Sequence, residues 1–179
     1  MQLETGNLKL NTVPSAYLSI GSNIEDRAAH LRSATAELRK LGPVTVSSFY
    51  ETEPVEFTQQ PWFLNCAVEL ETELTPRELL QEILRIEREL SRDRASAPPK
   101  GPRTVDIDII LYGDVAVNGP ALTIPHPAMH RRRFVLEPLS EIAPDAIHPV
   151  FMRSAAALLQ ALPPGDGVVW RIARTPDSA

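Results

Sequence analysis

Apolar and polar positions alternate along the chain in a pattern that predicts short strands separated by amphipathic helices. Residues 16–20 alternate as a strand, and over residues 24–41 apolar side chains recur every three or four positions, as on one face of a helix. We expect Gly21-Ser22-Asn23 to break the strand, Ser22 or Asn23 to cap the helix, and Gly42-Pro43 to end it.

The strongest local signal follows two further predicted strands, over residues 44–52 and 63–72. Thr75-Pro76-Arg77-Glu78 supplies a helix N-cap, a proline in the first turn and a capping-box glutamate, so a helix is expected from there to about residue 90 or 92. The pattern then predicts a strand over 103–112, a short strand over 115–117, short helices after Pro125, a helix over 154–162 and a last strand over 168–173.

The order β-α-β-β-α-β is typical of an α+β fold. We predict a ferredoxin-like α/β sandwich, with a mainly antiparallel sheet and helices packed on one face of it. The expected organisation is an N-terminal extension over residues 1–14, one domain over 15–162, and a C-terminal tail over 163–179 that could add one strand.

Length and composition favour a cytoplasmic protein with a single core. The chain has 179 residues, of which 43% are hydrophobic, enough for one domain of common size. The one cysteine, Cys66, excludes an internal disulfide and fits a reducing compartment. Residues 1–14 lack the basic start and apolar block of a secretory signal, and no stretch is apolar enough to span a membrane.

Charge is distributed unevenly. The net charge of −5 argues against general nucleic-acid binding. Acids dominate residues 51–87, whereas bases dominate residues 88–103 and the run Arg131-Arg132-Arg133. Such clustering indicates either an anion pocket or a solvated charged surface.

Two carboxylates are the sharpest anomaly in the sequence. In the strand predicted over 103–112, Asp106 and Asp108 share one face, while the apolar residues between and after them share the other. Ionised carboxylates this close repel each other, and Mg²⁺ prefers such oxygen ligands. The alternative is an edge strand with a solvated acidic face. We favour metal binding because the apolar alternation is tight and arginines lie nearby.

Arginines flank the proline-rich segment 95–102, with Arg92 and Arg94 before it and Arg103 after it. The planar guanidinium group matches phosphate oxygens, so these side chains beside the carboxylate pair suggest a polyphosphate clamp. Phosphoryl-type transfer needs little beyond in-line positioning and charge stabilisation. The sequence contains no P-loop motif.

Two further patterns are weaker by themselves. Phe63 and Asn65 share a strand face that could hold a flat heterocycle, although such a pair is more often core packing. His126 and His130 lie four positions apart, but Pro127 and the arginine run that follows argue against zinc.

Several strings occur together in the order of one known family: Ile20-Gly-Ser-Asn23, the segment 47–54, Phe63-Leu-Asn65, Gly101-Pro-Arg-Thr-Val-Asp-Ile-Asp108, Ile124-Pro-His-Pro127, Arg132-Arg-Phe134 and the segment 138–144. Over about residues 16–149 the chain resembles 6-hydroxymethyl-7,8-dihydropterin pyrophosphokinases of folate biosynthesis. The resemblance implies transfer of the β,γ-pyrophosphoryl group of ATP to the pterin hydroxymethyl oxygen, with release of AMP.

The resemblance also implies a role for individual residues. Asp106 and Asp108 match the pair that holds two Mg²⁺ ions, and Arg92 and Arg103 match catalytic arginines that grip the phosphates. The ATP-binding positions are matched by Glu87, Arg94, Arg103, Ile109, Thr123, His126 and Arg132. The pterin-binding positions are matched by Thr52, Val55, Phe63, Asn65 and Phe134, which favours a ligand contact over core packing for Phe63.

Two other functions stay open at this point. Similar α+β sandwiches serve as non-catalytic ligand- or RNA-binding modules, but the acidic charge and 6% aromatic content do not favour RNA. A two-metal phosphohydrolase would need more ligands than two aspartates, often histidine. The expected partners are therefore ATP and the pterin, with no nucleic acid and no membrane, and the chain is expected to be a monomer.

Overall fold

The computed structural model describes residues 13–54, 59–91, 104–165, 167 and 169–173. The strands are β1 (Ser15–Ser22), β2 (Val44–Val46), β3 (Phe49–Thr52), β4 (Phe63–Glu71), β5 (Asp106–Tyr112), β6 (Val117–Asn118), β7 (Thr123–Ile124), β8 (Ile147–His148), β9 (Arg153–Ser154) and β10 (Val169–Ala173). The helices are α1 (Arg27–Leu38), α2 (Pro76–Leu90), a short 3₁₀ helix (Met129–Arg131), α3 (Arg133–Ile142) and α4 (Ala155–Gln160).

The described strands form one main antiparallel sheet and two small ones. In the main sheet the order is β10-β3-β4-β1-β5, and β2 pairs with β4 ahead of β3. All pairings in this sheet are antiparallel. The strands β6 and β7 form one two-stranded sheet, and β8 and β9 form the other.

Helices cover both faces of the main sheet. On one face, Leu18, Ile20 and Ile109 of the sheet pack with Leu31 of α1 and Ile83 of α2, all at most 5% exposed. On the other face, a second buried cluster joins sheet residues to α3 and α4: Ala67, Ile110, Leu111, Val135, Leu136, Leu139 and Leu158. The α+β class with an antiparallel sheet is confirmed. The expectation that helices lie on one face was wrong, because the apolar side of α3 packs on the second face of the sheet.

The two long helices differ in how well their starts were predicted. At α2 the Thr75 side chain accepts a hydrogen bond from the Glu78 amide and Glu78 bonds back to the Thr75 amide, which confirms the capping box. At α1 the cap is Asp26, whose side chain accepts from the Ala29 amide, so the prediction of Ser22 or Asn23 was wrong. Strand β1 in fact continues through Gly21 to Ser22.

A bulge divides the strand predicted over residues 44–52 into β2 and β3. Val46 pairs with Val68 and Tyr50 pairs with Asn65, so the stretch from Val46 to Tyr50 contains one more residue than the β4 stretch it faces. Ser47 holds the break, since its hydroxyl accepts a hydrogen bond from the Ala67 amide. Bulges of this kind increase local twist and re-aim the side chains that follow.

Glu141 of α3 ties the second helical layer to this bulge. Its carboxylate accepts hydrogen bonds from the Ser48 amide, the Ser48 hydroxyl and the Tyr50 hydroxyl, at 3.1, 2.8 and 2.6 Å, and lies 3.5 Å from the Arg171 guanidinium of β10. Burial alone would raise the pKa of Glu141, but the Tyr50 and Ser48 hydrogen bonds and the Arg171 charge lower it instead. The ionised carboxylate therefore joins α3, β3 and β10.

The remaining predicted elements are present with shifted ends. The strand expected over 103–112 is described from Asp106 onward, the short strand expected over 115–117 is β6 at Val117–Asn118, and β10 occupies the place of the expected last strand. None of the helices in the described part of the chain has the length and hydropathy required to cross a membrane.

Replacing Thr75 by alanine should lower the free energy of unfolding by about 1 kcal/mol, because the Glu78 amide loses its acceptor at the start of α2. Urea denaturation monitored by circular dichroism measures this. Ser33→Ala is the matched control, because Ser33 is an exposed hydroxyl residue inside α1 that caps nothing. An equal loss in both variants would contradict a capping role for Thr75.

Candidate functional site

The candidate site is organised by a row of residues that crosses three strands. In the antiparallel register, Gly21 of β1 lies opposite Asn65 of β4 on one side and opposite Asp106 of β5 on the other. Residues directly opposite each other point to the same face of a sheet, and neighbouring strands are about 4.8 Å apart. The amide of Asn65 and the carboxylate of Asp106 therefore start about 10 Å apart on one face.

The carboxylate pair lies on the face opposite the main core. Along β5, Ile107 and Ile109 are each 5% exposed and pack with α1 and α2, while Asp106 and Asp108 alternate with them and are only partly buried. Asp108 lies opposite Ser19 of β1, one step along the same face from Asp106. The structure thus places the pair together, neither sealed in the core nor fully exposed.

Thr52, Phe63 and Asn65 form a second group beside the carboxylates. Asn65, which is 5% exposed, donates a hydrogen bond from its side-chain amide to the Thr52 hydroxyl. Phe63 lies opposite Thr52 at the last pair of the β3–β4 ladder. A Cβ atom on Gly21 would lie 2.5 Å from Asn65 Oδ1 and 3.6 Å from Phe63 Cδ1, so these two side chains close over Gly21.

Gly21 is a site residue that the sequence analysis missed. The sequence pattern predicts that Gly21 breaks the strand. In the structure Gly21 lies inside β1, and its missing side chain leaves the space that the Asn65 amide occupies. The available signal was a glycine within an alternating strand pattern, which often marks a close approach of another group.

Phe134 and Arg132 stand at the start of α3, on the same side of the sheet. The Arg132 guanidinium lies over the Phe134 ring, 5.6 Å from its centroid, in a cation–π arrangement. Phe134 is partly buried against the second core cluster, the one that contains Ala67 and Ile110. The Arg132 guanidinium therefore covers one face of the Phe134 ring, and packing against the second core cluster holds the rest of the side chain in place.

His126 lies next to β5 because its amide donates to the Ile110 carbonyl, at 2.9 Å. The preceding Ile124–Pro125 bond is cis. Burial and then the charge of Arg132 lower the pKa of His126, and Asp106 opposes them. Its Nδ1 atom accepts a hydrogen bond from the Ala128 amide, so the neutral ring carries its proton on Nε2.

An open cavity adjoins His126. Its volume is about 280 Å³, and its lining includes Thr123, His126, His130 and Phe151. The lining includes none of Asp106, Asp108 and Arg132, although the charges of Arg132 and Asp106 both act on the pKa of His126. Thr123 and His126 thus share this cavity, whereas Arg132 lies against the Phe134 ring.

Two further predicted ATP-binding residues lie at β5: Glu87 bonds to this strand from α2, and Ile109 is part of it. The Glu87 carboxylate of α2 accepts a hydrogen bond from the Ile107 amide at 2.7 Å, between the two aspartates along β5. The side chain of Ile109 packs in the core between the sheet and α1 and α2. Val55, Arg92, Arg94 and Arg103, also predicted as site residues, lie outside the described residues.

The donor set suits a hard divalent cation. No cluster of three or more histidine, cysteine, aspartate or glutamate side chains that could hold a metal occurs within the described ranges. Two partly buried carboxylates match Mg²⁺, which is commonly held by one or two carboxylates, with waters and substrate phosphates completing its shell.

Comparison with known proteins gives a consistent result. The family model for 7,8-dihydro-6-hydroxymethylpterin-pyrophosphokinase (HPPK) matches residues 17–144. The 2-amino-4-hydroxy-6-hydroxymethyldihydropteridine pyrophosphokinase of Bacillus subtilis is 48% identical over 130 residues, 71% of this chain and 77% of that protein. The enzyme of the same name from Haemophilus influenzae is 42% identical over 138 residues, 75% of this chain and 85% of that protein.

Longer proteins contain a similar region. Folic acid synthesis protein fol1 of Schizosaccharomyces pombe is 40% identical over 151 residues, which are 83% of this chain but 20% of that protein. The crystal structure of Plasmodium falciparum HPPK-DHPS with pteroate shares the fold, with a TM-score of 0.65 at 15% identity, over 82% of this chain and 44% of that one. This chain therefore spans about a fifth of the length of the Schizosaccharomyces pombe protein and less than half of the length of the Plasmodium falciparum chain.

The family model covers more than half of the chain, and two relatives above 40% identity are matched over most of their own length. The chain belongs to the 7,8-dihydro-6-hydroxymethylpterin-pyrophosphokinase family.

Proposed function

We propose that this chain transfers the pyrophosphoryl group of ATP to the hydroxymethyl group of 6-hydroxymethyl-7,8-dihydropterin, in folate synthesis. Membership of the family supports this activity. The observation in the structure that supports it best is the row Asn65–Gly21–Asp106, which sets a polar group suited to a heterocycle edge beside a carboxylate pair suited to Mg²⁺. One face of the sheet then serves both substrates.

The pterin binds at the Asn65 end of the row. Asn65 and Thr52 supply an amide and a hydroxyl that already bond each other, so the amide is oriented before the ligand arrives. Phe63 and Phe134 provide aromatic faces on which the flat ring stacks, and Val55 is a further predicted pterin contact. This arrangement directs the hydroxymethyl group towards β5.

The triphosphate of ATP binds at the β5 end. Asp106 and Asp108 would hold Mg²⁺, two ions by analogy with the family, and such ions would supply neutralisation of the phosphate charge. Arg92 and Arg103 grip the phosphates, and Arg94 contacts the nucleotide. Further nucleotide contacts come from Glu87, Thr123, His126 and Arg132, and at Ile109 from the main chain alone, because its side chain packs in the core. In the transfer, the hydroxymethyl oxygen bonds to the β-phosphorus, the bond from that phosphorus to the α,β-bridging oxygen breaks, and AMP leaves.

His126 acts here as a neutral donor. Its lowered pKa keeps the ring uncharged at neutral pH, and Nδ1 is occupied by the Ala128 amide. The proton on Nε2 is therefore available to an oxygen of the nucleotide. The positive charge beside His126 comes from Arg132, whose guanidinium is oriented by its contact with the Phe134 ring.

The cellular setting is part of the same proposal. Folate synthesis from ATP and the pterin needs neither nucleic acid nor membrane, and we place the enzyme in the cytoplasm as a monomer. The net charge of −5 and the single buried cysteine, Cys66, agree with that setting.

Incubation of the protein with ATP, Mg²⁺ and 6-hydroxymethyl-7,8-dihydropterin should yield AMP and the pterin diphosphate in equal amounts. Chromatography of the nucleotides measures the product. Because the β-phosphorus is the atom attacked, ADP should not accumulate. Formation of ADP, or absence of any pterin-dependent nucleotide product, would refute diphosphoryl transfer.

Asp106→Asn and Asp108→Asn should each lower kcat at least about 100-fold, since each removes a charged ligand for Mg²⁺. Thermal melting of each variant checks that the fold is retained. Asp114→Asn, on an exposed turn, is the control and should keep wild-type turnover. Near-normal rates in both site variants would contradict the metal assignment.

Gly21→Ala should raise the KM for the pterin roughly tenfold or more, because the added methyl group displaces an amide that would otherwise bond the ring edge. Gly119→Ala is the matched control, since its new Cβ would meet nothing closer than 3.5 Å. Steady-state kinetics at saturating ATP supply the measurement. A folded Gly21→Ala variant with an unchanged pterin KM would exclude Asn65 from pterin recognition.

A further inference from the structure

Arg27, in the first turn of α1, holds two segments that lead directly into the pterin group. Its guanidinium makes an ion pair with Glu51 at 2.9 Å and donates to the carbonyl of Trp62 at 2.8 Å. Glu51 immediately precedes Thr52, and Trp62 immediately precedes Phe63. Thr52 and Phe63 are themselves paired at the last rung of the β3–β4 ladder.

The chain leaves β3 after Thr52 and enters β4 at Phe63, and among the residues that the structure describes this is the last β3–β4 pair. An end of this kind frays unless something clamps it. The Arg27 guanidinium bridges the two strands at this end. It donates to the Glu51 side chain on β3 and to the Trp62 carbonyl just before β4. Guanidinium is suited to this because its donors point in fixed directions.

Arg27 reaches this place from the face opposite the site. Side chains alternate along β3, so Glu51 points away from the face that carries Thr52 and towards α1. Arg27 therefore acts on Thr52 and Phe63 through their neighbours and the backbone. It is a positioning residue by this geometry, with no contact to the substrate.

A second side chain from the same region strengthens the hold on the segment before β4. Asn23, 1% exposed, donates from its side-chain amide to Gln60 Oε1 at 3.0 Å and to the Pro61 carbonyl at 3.4 Å. Three consecutive residues, Gln60, Pro61 and Trp62, are thus bonded by Asn23, just after β1, and by Arg27 in the first turn of α1. Because β1 also carries Gly21, these bonds link the entry of β4 to the row that carries the site.

We infer that Arg27 sets the affinity for the pterin by fixing the relative positions of Thr52 and Phe63, without touching either substrate. The inference rests on the proposed function. It predicts an effect confined to one of the two substrates, because the carboxylates of β5 lie on the other side of β1 from β3 and β4.

Arg27→Ala should raise the KM for the pterin roughly tenfold, the factor that corresponds to 1.4 kcal/mol, and leave the KM for ATP within about twofold of wild type. Arg27→Lys keeps the charge beside Glu51 and should recover part of the affinity. Glu51→Gln should weaken pterin binding by itself but add nothing to Arg27→Ala, since both changes break the same bridge. Steady-state kinetics with each substrate varied in turn provide the values.

Arg85→Ala is the matched control, because Arg85 also makes two ion pairs, with Glu82 and Glu89, but on α2. It should leave both KM values unchanged. Titration calorimetry with the pterin, in the presence of Mg²⁺ and a non-hydrolysable ATP analogue, gives the same comparison without turnover. An unchanged pterin affinity in Arg27→Ala, or an equal loss of ATP affinity, would overturn the inference while the proposed function stands. If the wild-type protein itself binds no pterin, the proposed function fails, and this inference fails with it.

Discussion

The site depends on the register in which β1 pairs with β4 and β5. Because side chains alternate between the two faces of a strand, one residue of slip would turn Asn65 or Asp106 into the core and expose an apolar neighbour. The core prevents such a slip, since Leu18, Ile20 and Ile109 are fixed between the sheet and α1 and α2. The same packing that stabilises the fold therefore holds the polar groups on the opposite face in line.

That opposite face is only partly covered, and this is what leaves room for ligands. α3 and α4 bury Ala67, Ile110 and Leu111, and of these Ala67 lies opposite Ser19 and Leu111 opposite Tyr17, on the side of Gly21 towards the start of β1. Near Gly21 the face instead carries partly buried polar groups and the ring of Phe63. Glu141 fixes how far α3 can lie from the bulge at Ser48, and α3 in turn carries Phe134. The layer that completes the core thus also places one wall of the site.

Local chemistry made part of this arrangement predictable. The Thr75 capping box depends on four adjacent residues, and the alternation around Asp106 and Asp108 depends on one strand, so both could be inferred from the sequence alone. The use of Asp26 as a cap, the bulge at Ser48 and the role of Gly21 depend on partners distant in sequence. Gly21 makes this plain, because its need for space is created by Asn65, a residue on another strand. The arginines at 92, 94 and 103 matched the family pattern and stay predictions.

The position of β10 has a consequence for the order in which the molecule assembles. β10 pairs with β3, and Arg171 donates to the Ser48 hydroxyl across 123 positions of sequence. Contacts between residues so far apart form slowly, because a long loop must close before they are made. During synthesis, β3 and the Glu141 carboxylate are made well before this strand emerges from the ribosome. The nascent chain thus exposes an unpaired β3 edge until β10 arrives, and that edge is open to pairing with another chain in the meantime.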